Sequence, residues 1–93
     1  MYNVGMKDKE LERRLKALAN RRRLAILRYI KNKREGAVGE IAEYIKLSFR
    51  STSKHLSVLF ATDMLEKEQR SSRVFYSLAS GFPEPIRRIV AFL

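Results

Sequence analysis

Leucines at positions 11, 15 and 18 recur at the spacing of one helical face, with charged residues between them. That spacing predicts a helix over about 7–18. Asn20 supplies the side-chain acceptor that a helix start needs, and Leu24, Ile26, Leu27 and Ile30 form a second apolar series to about Asn32. Glu35, Gly36 and Gly39 then break the pattern around Ala37 and Val38, leaving room for a strand of two or three residues. Ile41, Ala42 and Ile45 predict a short helix from about Glu40 to Ile45. Lys46 and Leu47 lead directly to Ser48, a capping residue, and to a helix over about Phe49 to Ala61. Its inward positions are Thr52, Leu56, Leu59 and Phe60. Two helices joined by so few residues cross at an angle rather than run as a long hairpin.

After Thr62 and Asp63 the period changes. Met64, Glu66 and Glu68 alternate with Leu65, Lys67 and Gln69, and the polar turn Arg70-Ser71-Ser72-Arg73 leads into the β-forming run Val74 to Leu78. These residues predict a β-hairpin over 64–78 with a basic tip. Gly81, Pro83 and Pro85 end it, and Ile86, Ile89, Val90 and Leu93 form a last helical stripe within 83–93. Residues 1–6 are expected to be a loose terminus. The fold class is mostly α with a small β-hairpin (α+β), in the order α-α-β-α-α-β-β-α. That order is the winged helix-turn-helix layout, and the 93 residues are expected to form one domain.

Composition narrows the function. No apolar run is long enough to cross a bilayer, and Met1 to Glu10 lack the basic-then-apolar layout of a signal peptide, so a cytoplasmic location without membrane is expected. There is no cysteine, hence no disulfide framework and no thiolate metal site; neither metal nor cofactor is expected. No nucleophile–base pair, phosphate-binding glycine loop or ligand cluster points to an enzyme. Twenty Lys and Arg against ten Asp and Glu give a formal net charge of +10. Seven of those positive charges lie between Arg21 and Arg34, where there is no acid. Nucleic acid is the partner that best fits such an excess, although an acidic protein fits charge alone.

The helix of 48–61 carries no Asp or Glu, and Arg50, Ser51, Lys54 and Ser57 share one of its faces. Such short polar and basic side chains suit entry into a major groove, with Arg50 reaching guanine O6 and N7 and Lys54 a guanine or a phosphate. Ser48 caps this helix, and the free amides beside it suit a phosphate. Arg21, Arg22 and Arg23 occupy the first turn of a helix, where the macrodipole disfavours cations. Contact of Arg21 and Arg22 with a DNA backbone accounts for that placement. Arg70, Ser71, Ser72 and Arg73 at the hairpin tip fit a minor groove or its bordering phosphates. A chain this short cannot bury every apolar stripe internally, so Leu11, Leu15, Ile86, Ile89, Val90, Phe92 and Leu93 are candidates for an isologous dimer patch on helices 7–18 and 83–93.

Several segments together resemble the ArsR-type (arsenic-repressor-like) winged-helix transcriptional regulators. They are Leu15-Lys16-Ala17-Leu18-Ala19-Asn20, Arg23-Leu24-Ala25-Ile26-Leu27, Glu40-Ile41-Ala42, Leu47-Ser48, Ser53-Lys54-His55-Leu56, Val58-Leu59 and Val74-Phe75-Tyr76-Ser77-Leu78. The resemblance covers roughly residues 11–78. It implies a homodimeric repressor or activator, repressor-like in build, that binds double-stranded DNA with 48–61 as recognition helix and 64–78 as wing and dimerises through its terminal helices. It also adds Ser53 and His55 to the DNA-contacting set and gives Arg23 a structural role. His55 reads equally as a partly buried, hydrogen-bonded side chain. The chain departs from metal-sensing members: Ala37-Val38-Gly39-Glu40 stand where those use a cysteine pair, and the last helix has Glu84 but no histidine. Asp63 stands where the family usually has glycine, a substitution that a left-handed backbone tolerates with some strain. Phe49 replaces a commonly polar residue, and it either packs inward or touches thymine methyl groups. Nonspecific binding to DNA or structured RNA, and a protein-interaction role, remain the alternatives.

Overall fold

The computed structural model describes residues 7–93; the loose segment expected over 1–6 lies outside them. Helices α1 (Asp8–Leu18) and α2 (Arg21–Lys33) are followed by strand β1 (Glu35–Ala37), helices α3 (Val38–Ile45) and α4 (Phe49–Ala61), strands β2 (Leu65–Arg70) and β3 (Arg73–Leu78), and helix α5 (Glu84–Phe92). The three strands form one antiparallel sheet in the order β1-β3-β2. Glu35 pairs with Ser77 at one edge of β3, and Leu65 with Leu78 at the other. The expected order of elements is therefore the observed one, and the helix expected over 49–61 has the observed bounds.

The local chemistry explains the boundaries. Asn20 caps α2 by accepting a hydrogen bond from the Arg23 amide at 3.0 Å, and Ser48 caps α4 by accepting one from the Ser51 amide at 3.1 Å. At the end of α3, Lys46 takes a left-handed backbone (φ 57°), and the Leu47 amide returns to the Ala42 carbonyl at 3.0 Å. This Schellman closure compresses the turn between α3 and α4 to three residues. The same device ends α4. Asp63 is left-handed at φ 61°, its amide donates to Phe60 O, and the Met64 amide donates to Leu59 O at 3.0 Å. The left-handed backbone expected at Asp63 is thus present. An ion pair to Arg14 at 3.4 Å stands beside it.

Four details differ from the sequence-based expectations. The strand takes Glu35 and Gly36 as well as Ala37, and Val38 opens α3 two residues earlier than expected. Gly36 reads as punctuation but is a packing residue: a Cβ there would lie 2.7 Å from a ring carbon of Tyr29 and 3.0 Å from Ile41. Phe60, expected inside, is exposed, and the Lys67 ammonium lies 4.4 Å over its ring. Last, Ile86 (0% exposed) and Val90 (4%) are buried in the protomer's own core and cannot form a surface patch. They lie four residues apart on the face that α5 turns inward. They join Ile26, Leu27, Ile30, Ile41, Leu56, Leu59 and Met64 in a single cluster. Leu15 and Phe92 remain exposed, and Leu11, Ile89 and Leu93 are half-buried at the cluster's margin.

Candidate nucleic-acid interface

Helix α4 buries Thr52, Leu56 and Leu59, so Arg50, Lys54 and Ser57 are turned to solvent, with Ser51 and Ser53 half-buried beside them. The helix has no acid in its first turn. Two further elements approach this helix: the start of α2, whose Arg23 reaches His55, and the hairpin tip, whose Ser72 and Arg73 line a cleft with Phe49.

On the α2 side, Arg23 reaches back to the end of α1. Its Nε donates to Ala17 O at 2.6 Å and one terminal nitrogen to Lys16 O at 3.4 Å, while the other lies 3.1 Å from His55 Nδ1. A guanidinium has only donors, so Nδ1 is the acceptor and the imidazole proton sits on Nε2. Arg23 thereby closes the carbonyl end of α1, positions α2, and holds His55 neutral in one tautomer. The structural role expected of Arg23 and the hydrogen-bonded reading of His55 are both what the geometry shows. Arg21 is exposed. Arg22 is half-buried, and its Nη1 has no hydrogen-bond partner among the described residues. With Arg23 accounted for, these two carry the unfavourable cationic charge at the start of α2, where there is no acid.

Burial, and after it the charges of Arg23 and Arg22, lower the His55 pKa below its usual 6.5. The unfolded chain therefore binds a proton at this residue before the folded one does. Stability is expected to be independent of His55 above about pH 6.5 and to fall as pH drops below that value toward the depressed folded-state pKa. Thermal melts of wild type and His55→Gln between pH 7.5 and 5 check this: the wild type should lose more Tm on acidification, and parallel profiles would exclude it.

The second element is the wing. Across its tip Arg70 pairs directly with Arg73, and Ser71 adopts a positive φ of 56°. Two cations placed opposite one another on a hairpin repel, and the surrounding carboxylates offset that repulsion. Arg70 makes a bidentate pair with Glu35 at 2.7 and 2.8 Å and bonds Glu68 at 2.8 and 3.0 Å. These bonds hold the Glu35 carboxyl below its ordinary range and raise the already high Arg70 pKa. Arg73 lies 3.4 Å from Glu40, and both guanidinium groups sit over the Phe75 ring, at 4.6 and 5.0 Å. Arg70, expected at the ligand, is thus occupied in tying the wing to β1, whereas Ser71 and Ser72 are exposed at the tip. Glu35, Glu68, Glu40 and Phe75 were not foreseen as wing organisers. The facing arginines were the signal, since a like-charge pair calls for nearby acids.

The wing meets the start of α4 across an open cleft of about 330 Å³, lined by Ala37, Val38 and Gly39 on one side, Ser72, Arg73 and Val74 on the other, and Phe49. The cleft is therefore lined mostly by apolar residues, with Arg73 among them. At the far end of α4, Arg13 donates to the Ala61 carbonyl and Arg14 pairs with Asp63, so α1 is anchored to the carbonyl end of the same helix. Among the described residues, no three His, Cys, Asp or Glu side chains group as metal ligands, and no helix is long and apolar enough to cross a membrane.

No family model matches the sequence. The transcriptional activator HlyU of Vibrio cholerae is 38% identical over 66 residues, which are 71% of this chain and 60% of that relative's length. The structure of HlyU from Vibrio cholerae matches at a TM-score of 0.79 with 29% identity, over 94% of this chain and 92% of that one. Reduced HlyU gives 0.78 with 30% identity over 91% and 85%. A homodimeric winged helix-turn-helix DNA-binding domain from Mycobacterium bovis, described as a possible ArsR-family transcriptional regulator, gives 0.77 with 29% identity over 97% and 85%. Element order, the paired α3–α4 turn, the wing and these likenesses agree: the chain belongs to the ArsR-type winged helix-turn-helix family, whose members are transcriptional regulators and not enzymes.

Proposed function

We propose that this chain is a sequence-specific regulator of transcription that acts in the cytoplasm and binds double-stranded DNA as a homodimer. In this reading residues 1–93 act as one domain, with 48–61 the recognition helix and 64–78 the wing. The observation that carries it is the acid-free face of α4, with Arg22 and Arg23 of α2 close enough to act on His55 and the wing tip meeting Phe49 across a cleft. A solvated helix face ordinarily mixes both signs of charge. A face with one sign, with the acid-free cationic start of α2 nearby, matches a duplex whose phosphates border a groove.

Arg50, Ser51, Lys54 and Ser57 are placed to address base edges, with Ser48, Ser53 and His55 supporting contacts at the margins. Arg21, Arg22, Ser71, Ser72 and Arg73 address the backbone. Arg70 shapes the wing instead of touching the duplex. Selection of random duplex DNA by the purified protein tests the proposal. It should return an inverted repeat with half-sites about 34 Å apart, one helical turn, and recovery of no common sequence would contradict it.

The dimer rests on the apolar residues that the protomer leaves uncovered, above all Phe92, 91% exposed, and Leu15, 43% exposed. Leu11, Ile89 and Leu93 border them. Phenylalanine so exposed at the end of an amphipathic helix is stabilised when a second copy covers it. Replacing Leu15 and Phe92 by aspartate is expected to turn a dimer into a monomer in sedimentation at tens of micromolar, with the circular dichroism unchanged. A variant that sediments as the wild type does would place the interface elsewhere.

A further inference from the structure

Phe49 is the first residue of α4, and 62% of it is exposed. The inward face of the helix is already filled by Thr52, Leu56 and Leu59, each fully buried, so the ring has no seat in the core. It lines instead the cleft between α4 and the wing, together with Val38, Gly39, Val74 and Arg73. Arg50 follows it directly in the chain and is exposed. An apolar ring is therefore held at the leading end of a cationic face, at the place where the proposed duplex would enter.

We infer that Phe49 is a specificity-determining residue that recognises the 5-methyl group of a thymine in the major groove, an assignment that rests on the DNA-binding reading above. The chemistry leaves one partner. A phenyl ring offers neither donor nor acceptor, so the polar edges of guanine, cytosine and adenine lose hydration against it without compensation. Thymine alone presents an apolar group in that groove. The net charge of +10 and the cations around the ring draw a polyanion to this face, and the methyl group is the only apolar surface that polyanion exposes there. Adjacent Cα atoms lie about 3.8 Å apart and stacked bases about 3.4 Å. The thymine thus falls within about two base pairs of the one that Arg50 addresses.

Replacing each thymine of the selected duplex in turn by deoxyuridine removes the methyl group and nothing else. Removal of one buried methyl is expected to weaken wild-type binding about fourfold at one position in each half-site. Phe49→Ala should bind the thymine and uracil duplexes equally, Phe49→Leu should keep part of the difference, and both variants should melt with the wild type because the ring is outside the core. A wild-type protein that binds every deoxyuridine duplex as it binds the parent overturns the assignment while leaving sequence-specific binding intact. So does Phe49→Ala if it keeps the full discrimination. Absence of any sequence preference on the parent duplex overturns the DNA-binding reading and this assignment together.

Discussion

Replacing Arg50 and Lys54 together by alanine is expected to weaken binding to the selected duplex by about 2–6 kcal/mol, at least about thirtyfold. Two base-edge interactions at about 1–3 kcal/mol each give that range, made by side chains that are exposed on α4. The loss should fall on the selected sequence and leave binding to scrambled duplex much less affected. Replacing Arg21 and Arg22 should behave differently. Those residues are proposed to address phosphates, so affinity should drop on all sequences alike. The slope of log affinity against log salt should become shallower by about 0.9 for each phosphate that is no longer neutralised. Titrations of both variants on both duplexes across salt separate the two roles. Equal loss of specific and nonspecific binding in Arg50→Ala/Lys54→Ala would deny α4 its reading role.

Leu59→Ala carries the largest expected effect on stability, about 2–5 kcal/mol. Leu59 is fully buried, lies on the inward face of α4, and packs in the cluster that also holds Ile41 and Ile86. Its carbonyl also receives the Met64 amide that closes the helix. A cavity there loosens the seat of α4 at both its packing and its terminus. A domain of this size is stable by only about 5–15 kcal/mol, so the variant is expected to be partly unfolded at modest urea concentrations. Val58→Ala, one residue away but on the exposed side of the helix, should shift the urea midpoint far less. Similar midpoints for the two variants would mean that α4 is not anchored through this face.

Much of the fold was legible because its elements are marked by chemistry that acts within a few residues. Asn20 and Ser48 announce their helices by the oxygen they offer to a nearby amide. Apolar spacing identifies the buried faces of α2, α3 and α4, and the change to alternation at Met64 identifies the wing. What failed was long-range. Phe60 has the composition of a core residue, and only the approach of Lys67 from the wing explains how it stays outside. Ile86 and Val90 carry the same helical signal as a surface stripe would, and nothing local tells a stripe covered by the protomer from one covered by a second copy. Gly36 resembled a loop residue because the Tyr29 ring that requires it comes from α2.

The site followed the same division. Arg50 and Lys54 could be placed from helix periodicity alone, as could the basic tip of the wing. Arg70 could not, because its partner Glu35 is 35 residues away in sequence and meets it only once β3 lies between their strands. For Arg23 a structural role was expected from the resemblance alone, and only the folded chain shows its guanidinium closing α1 and fixing His55. Phe49 was ambiguous in the sequence because a phenylalanine at a helix start packs inward or outward with equal ease; the filled interior of α4 decides it.

The most direct test of the central claim is the affinity of the purified protein for the selected inverted repeat and for a scrambled duplex of the same length and composition, measured at one salt concentration near physiological. A sequence-specific regulator should show a ratio of at least about a thousand in favour of the inverted repeat. A ratio near one, with both affinities falling steeply as salt rises, would show a binder of polyanions that does not read sequence, and would contradict the claim.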